Sequence, residues 1–412
     1  MLIDFIVQNL NLLIIPFVSA IVGFGTNLLA VKMMFYPMKF VGIPPVFGWQ
    51  GIIPSRAKEM AEIEVDLLLG KLMSIDDIAK RIDPKKLSQQ IQRRLKQSVH
   101  SVVNEVMRDA SPGVWSMLPG AVKHLIYLKI DSSLPKVVPK LVEDIQYNIR
   151  ELIDLKSLIV NKMVDNPEIL NELFLKVGAK EFTFIERSGF YFGFLLGIPT
   201  MITWHFYQAW WLLVFGGLIV GYATNWIALH MIFEPKHPVK MGPFTLQGLF
   251  LKRQKEAAAI YCEVIEEKLL NTEIIAEAIL KGESSDQVME ILTTHVNKAV
   301  DEHLNLIQPY TSAYLGPDDY YLMKENIVKK LFKDSEIIFS YAHEYTAEAI
   351  NIGQDLTEKM CELTPEEFEG IIRPAYQADE WKLILIGGAL GMLAGYGQLL
   401  ILRPDLVPIL PF

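Results

Sequence analysis

The sequence predicts an all-α integral membrane protein with four transmembrane helices and two cytoplasmic helical domains, arranged as a tandem parallel repeat. Three observations carry this prediction. Three apolar regions, about Leu10 to Phe35, Gly189 to Phe233 and Leu383 to Leu402, are longer than a soluble core helix requires. Basic residues gather on one side of every expected span. A block near the N-terminus also recurs 198 residues later.

Composition agrees with a mixed membrane and soluble chain. Of 412 residues, 51% are hydrophobic and 21% charged, too apolar for an ordinary soluble protein and too charged to lie wholly in lipid. The net charge of −9 gives no whole-chain basic signature, so nucleic acid is not an expected partner. Cys262 and Cys361 are too few and too separated for a metal site or a disulfide framework, which leaves them as packing residues.

The first transmembrane helix falls within 1–37. Its N-terminus has no basic n-region and runs into about thirty apolar residues, more than a signal-peptide core, so it is expected to be retained. An interfacial loop follows at 38–54, rich in Pro and Gly and carrying Phe47 and Trp49. The first cytoplasmic helical domain occupies 55–187. Within it Leu87, Ile91, Leu95, Val99, Val102, Val103 and Val106 recur at three and four residues, and Leu141, Ile145, Ile149 and Leu152 continue the pattern after Pro139. Such a stripe serves either a bundle core or a subunit contact.

A transmembrane helix pair is expected at 188–235, broken at Trp204-His205-Phe206-Tyr207-Gln208, whose aromatic and polar side chains suit a membrane interface. A second interfacial loop at 236–251 carries Phe244 and Phe250. The second cytoplasmic helical domain follows at 252–380, the fourth transmembrane helix at 381–402 and an external tail at 403–412. Lys32, Lys39, Arg56, Lys58, Lys180, Arg187, Lys236, Lys240, Lys252, Arg253, Lys255 and Lys382 all flank the two large segments, which places both in the cytoplasm and both termini outside.

Self-similarity is strongest from Phe17 to Pro37 against Phe215 to Pro235, where ten of twenty-one positions are identical. These include Gly23, Thr26, Asn27 and Pro37, which shared hydrophobicity alone does not explain. With one residue deleted, Gln50-Gly51 falls on Gln247-Gly248 and Arg56-x-Lys58-Glu59-x-Ala61 on Arg253-x-Lys255-Glu256-x-Ala258. At the exits Gly189, Gly193 and Gly197 fall on Gly387, Gly391 and Gly395. Copies running the same way predict a pseudo-twofold along the membrane normal.

The G-[FY]-x-T-N-x-x-A-x-[KH]-M-x-F-x-P block, the R-x-K-E-x-A helix start and the glycine-rich last span resemble the YheB/YjiN-like family of bacterial membrane proteins, a domain-of-unknown-function family. The likeness covers nearly the whole chain. It implies a bacterial cytoplasmic (inner) membrane and mostly helical structure, and it implies no activity.

Ser19, Gly23 and Asn27 lie four apart, as do Gly217, Gly221 and Asn225, so each triplet forms one stripe on its helix. Facing stripes of Gly189, Gly193 and Gly197 and of Gly387, Gly391 and Gly395 let helix backbones approach closely, with Asn fixing register. The competing reading is that Thr26, Asn27, Thr224 and Asn225 line a polar path for a solute or ion. Lys32 and His230, five residues beyond each Asn, are expected to reach headgroups, and Arg56, Lys58, Lys252, Arg253 and Lys255 to contact lipid phosphate.

The sequence contains no Walker A loop, G-x-S-x-G elbow, H-E-x-x-H or paired CxxC. His295, His303 and His343-Glu344 sit among polar helical residues and are not read as metal ligands, and Glu366-Glu367-x-Glu369 after Pro365 reads as a helix first turn. The expectation is a non-catalytic, cofactor-free membrane scaffold or envelope-organising component. Its expected partners are membrane lipids, copies of itself and a possible protein bound through the cytoplasmic helices. A transporter or channel and a lipid-handling protein are the alternatives, and the last requires an apolar groove.

Overall fold

The computed structural model describes residues 10–43, 47–110, 112–242, 244–304, 317–374, 380–403 and 405. In chain order its helices include α1 (Ile14–Phe35), α2 (Ala57–Leu67), α3 (Pro84–Ala110), α4 (Gly120–Tyr147), α5 (Pro167–Val177), α6 (Ala179–Phe206), α7 (Trp210–Phe233), α8 (Gln254–Lys268), α9 (Ser285–Leu304), α10 (Pro317–Lys333), α11 (Pro365–Ile372) and α12 (Glu380–Leu402). Among the described residues the only strands form two antiparallel hairpins, β1 (Val41–Ile43) with β2 (Phe47–Trp49) and β3 (Val239–Met241) with β4 (Phe244–Leu246). They lie in the two expected interfacial loops. The side chains of Phe47 and Phe244, and most of the expected external tail, lie outside the described residues.

The chain divides into two compact units. Unit 1 comprises 1–67, 160–264 and 357–412, and unit 2 comprises 68–159 and 265–356. This differs from the division read in the sequence, where 55–187 and 252–380 were separate domains. Each large segment instead gives its middle to unit 2 and its ends to unit 1, because the apolar stripe of α3 is covered both by α4 of its own segment and by residues of the other, among them Met323, Ile327 and Ala342.

Unit 1 contains the apolar helices. Among the described residues α1, α7 and α12 are long and apolar enough to cross a membrane. The 28-residue α6 has the length. Its glycines, Pro199, Thr200, Thr203 and His205 make it less apolar than the other three. Helix α1 packs chiefly on α6 and α7 on α12, while α6 and α7 form a hairpin around residues 207–209. That break coincides with the one read from the sequence, but Trp204 is not interfacial in the simple sense. It is buried with Ile15, Leu213 and Leu399, while Phe206, Tyr207 and Trp210 are exposed.

Unit 2 is a helical bundle. Helix α3 begins at Pro84 with the Asp83 carboxylate accepting from the Lys85 and Lys86 backbone amides at 2.8 and 3.2 Å, which satisfies the unpaired donors of a helix start. Its stripe is spent internally. Leu87, Ile91 and Leu95 pack with Val138 and Ala342, while Val102, Val106 and Met107 pack with Trp115, Met323 and Ile327. Polar ties join the same two segments, including Arg81 to Asp355 at 2.8 Å and His295 to Asp144 at 2.7 Å.

Candidate functional site

The repeated small and polar residues form two helix joints in unit 1. At the first, a methyl group added to Gly23 would collide with the Gly189 carbonyl oxygen, and one added to Gly193 with that of Ser19. Gly197 lies against Pro16 and Ser19. At the second, Gly217 meets the Gly391 carbonyl, Gly221 that of Gly387, and Gly395 that of Leu213. The backbones touch, so only glycine fits. This dispersion-rich contact is how helices associate where hydrophobic exclusion from water is absent.

One asparagine crosses each joint. The Asn27 amide donates to the Ile185 carbonyl at 2.6 Å and the Asn225 amide to the Leu383 carbonyl at 2.8 Å. Donors and acceptors are alike displaced by 198 residues. Both asparagines are buried, at 0% and 2% exposure, and neither Oδ1 has a protein partner among the described residues. Beside Asn225 lies an apolar cavity of only about 10 Å³. Thr26 and Thr224 turn inward on their own helices, donating to the Gly23 and Gly221 carbonyls at 3.1 and 3.3 Å.

The basic residues expected to contact headgroups differ in exposure and in protein partners. Lys32, Lys58, Lys252 and Lys255 are exposed, and Lys58 lies 4.0 Å from Glu62. Arg56 is half-buried, 3.7 Å from Glu59. His230 is exposed, stacked on Trp226 with centroids 5.2 Å apart and paired to Glu234 at 3.1 Å. Arg253 is the exception. Its side chain is 13% exposed, meets the buried Glu181 carboxylate at 2.6 Å and donates to the Val177 carbonyl at 3.2 Å, so it ties the start of α8 to α6 and is not presented to lipid. The hairpins do present apolar groups, since Val41, Ile43 and Val239 are exposed.

Sequence reasoning missed a set of buried polar residues in unit 1. Asn171 donates to the Phe35 carbonyl at the end of α1 at 2.8 Å, and Glu369, 198 residues later, takes Lys236 at 2.7 Å. Glu64 and Tyr261, 197 apart, bond to each other at 2.8 Å. The available signal was a polar residue within an otherwise apolar helical stripe at corresponding places in both copies. Glu366 and Glu367 occupy the first turn of α11, where Thr364 and Glu367 form a capping box, whereas Glu369, expected with them in that turn, lies further along the helix and is buried against Lys236.

Among the described residues no three His, Cys, Asp and Glu side chains gather as a metal site needs. His343 bonds Thr272 at 3.0 Å, while the His303 side chain lies outside the described residues. Cys262 is buried 3.7 Å from the Met360 sulfur.

No protein-family model matches the chain, and no solved structure does. Over 105 residues it is 29% identical to a UPF0754 membrane protein of Staphylococcus epidermidis, which covers 25% of this chain and 27% of that protein. Over 96 residues it is 36% identical to a UPF0754 membrane protein of Staphylococcus aureus, covering 22% and 25%. The similarity thus spans about a quarter of the length of these curated relatives. With α1, α7 and α12 long and apolar enough to cross a membrane, the chain is a predominantly helical membrane protein, similar over part of its length to relatives named as membrane proteins.

Proposed function

We propose that the protein is a non-catalytic scaffold of the bacterial inner membrane, a tandem parallel repeat with four crossing helices, both large segments in the cytoplasm and both termini outside. The observation that carries this reading is the pair of glycine–asparagine joints. Their amides and hydroxyls are bonded to backbone carbonyls, which spends polarity on holding helices together. Helix α6 meets α1 at backbone distance from Gly189 to Gly197, which favours its crossing alongside α1. Unit 2 draws on both large segments, which supports their lying on one face of the bilayer. Self-association is part of the proposal, through exposed apolar positions such as Ile21, Leu195, Ile219 and Leu393. Mass measurement after extraction in mild detergent tests it. An assembly of several copies or a co-purifying protein is expected, and a strict monomer alone overturns the scaffold.

The unbonded Oδ1 atoms of Asn27 and Asn225 favour a second reading, a transporter or channel whose polar path runs past them. Liposome flux separates the two. Leakage that is unchanged by Asn27→Leu with Asn225→Leu eliminates the conduit.

A further inference from the structure

Unit 2 holds a cavity of about 450 Å³ between α3, α4, α9 and α10. Its walls are almost wholly hydrocarbon, with Val103, Ile126, Val300 and Ile327 typical of them. Two lining residues carry hydrophilic side chains, Ser133 and Lys129. The Ser133 hydroxyl donates to the Ile130 carbonyl at 2.7 Å and is thereby used up. Lys129 is exposed at the cavity and forms no ion pair with a described residue, so one uncompensated cation marks an otherwise apolar chamber.

Shape and chemistry narrow the occupant. The lining stripe on α4 runs from Ala121 to Val137, which is about 24 Å at the helical rise of ~1.5 Å per residue. At the ~30 Å³ that a small group such as a water occupies, the volume takes roughly fifteen methylenes, which is one acyl chain and not the two of a phospholipid. A helix about 10 Å across displaces roughly 420 Å³ per turn, so a partner helix would enter by about one turn only. An extended peptide would bring backbone donors and acceptors into a wall that offers them no partners. The lone lysine selects an anionic end.

We propose that this cavity binds a single-chain anionic lipid of the fatty carboxylate class, with its chain along α4 and its carboxylate on Lys129 Nζ. The cavity provides the apolar site that a lipid-handling role requires, and the inference goes beyond the scaffold reading without depending on it.

The test uses the full-length protein in amphipol, irradiated with a palmitic acid carrying a mid-chain diazirine, followed by mapping of the labelled peptides. Label is expected on α3, α4, α9 and α10. Ala299→Trp, which puts an indole into the chamber, is expected to cut that labelling at least tenfold. Unlabelled palmitate should compete at least fivefold better than hexadecanol, and Lys129→Glu should erase the difference. Lys129 is exposed, so this second variant keeps the test decisive even if the first unfolds. Label confined to α1, α6, α7 and α12, or label in unit 2 that neither variant changes, overturns the proposal. Equal competition by hexadecanol with the native protein overturns its anionic part. Crosslinks between two copies at this chamber with the probe excluded would assign it to self-association instead.

Discussion

Tyr261 donates its phenolic proton to a Glu64 carboxyl oxygen at 2.8 Å, and the two side chains are sealed from water at 1% and 2% exposure. Burial raises the Glu64 carboxyl to about 8, and the tyrosine hydrogen bond offsets only part of that desolvation. Tyr261 is pushed well above its ordinary value by the same burial, with Glu64 and Cys262 adding to it. Among the described residues no cation takes part in this contact. A hydrogen-bonded neutral acid is far cheaper to bury than a carboxylate.

The sign of the pH dependence follows. Between the ordinary carboxyl value of 4.5 and about 8 the folded state holds a proton that the unfolded chain has released, so stability falls as pH rises through that window and levels off above it. The loss amounts to a few kcal/mol. Thermal unfolding in detergent is expected to show a falling midpoint from pH 5 to pH 8, and Glu64→Gln to flatten the curve and exceed the native protein at pH 8. Parallel curves for the two proteins would show that Glu64 is not the group responsible.

Glycine substitutions should split by position. Gly23→Ala and Gly221→Ala place a methyl against a facing carbonyl and are expected to cost ~1–3 kcal/mol. Gly25→Ala and Gly397→Ala enter open space within helices, where alanine's better helix propensity makes them neutral or up to ~1 kcal/mol stabilising. Melting curves of the four single variants read the contrast directly. Four similar losses would mean that the joints are not close-packed.

Arg253→Ala removes the cation from a buried pair and leaves the Glu181 carboxylate with no equivalent partner, an expected loss of ~3–5 kcal/mol. Adding Glu181→Gln should recover part of it, so the double variant loses less than the two single losses summed. Lys255→Ala, at an exposed position, should stay within ~0.5 kcal/mol of the native protein. Comparable losses at both positions would return Arg253 to the surface.

Exposed Tyr147 and Tyr321 lie in different large segments of the sequence but in the same unit. Cysteines placed singly at each, with Cys361→Ser, are expected to react with a membrane-impermeant maleimide in inverted vesicles and to be protected in intact cells. Reaction of one from each face would contradict the proposed orientation.

The sequence revealed the parts of this fold that depend on local spacing. Apolar length located α1, α7 and α12, the aromatic break located the α6–α7 turn, and four-residue spacing put Gly23 and Asn27 on one face. It did not reveal the pairing of distant segments. The stripe from Leu87 to Val106 shows that α3 buries a face, yet period alone cannot say that Met323 and Ile327 cover it. The place of Arg253 is not legible in the sequence for a related reason. A basic residue after an apolar run usually reaches water or lipid, and only the fold brings the Glu181 carboxylate against it.

The interleaving of unit 2 also bears on the order of events during synthesis. Residues 68–159 emerge long before 265–356. At ~5–20 residues per second, the 197 residues from 159 to 356 take the ribosome roughly 10–40 s to add. Throughout that interval the α3 face that meets Met323, Ile327 and Ala342 lacks those partners, and only the packing on α4 and Trp115 within its own segment is available. Truncation anywhere before residue 356 therefore removes part of the second segment's share of the bundle and leaves it incomplete.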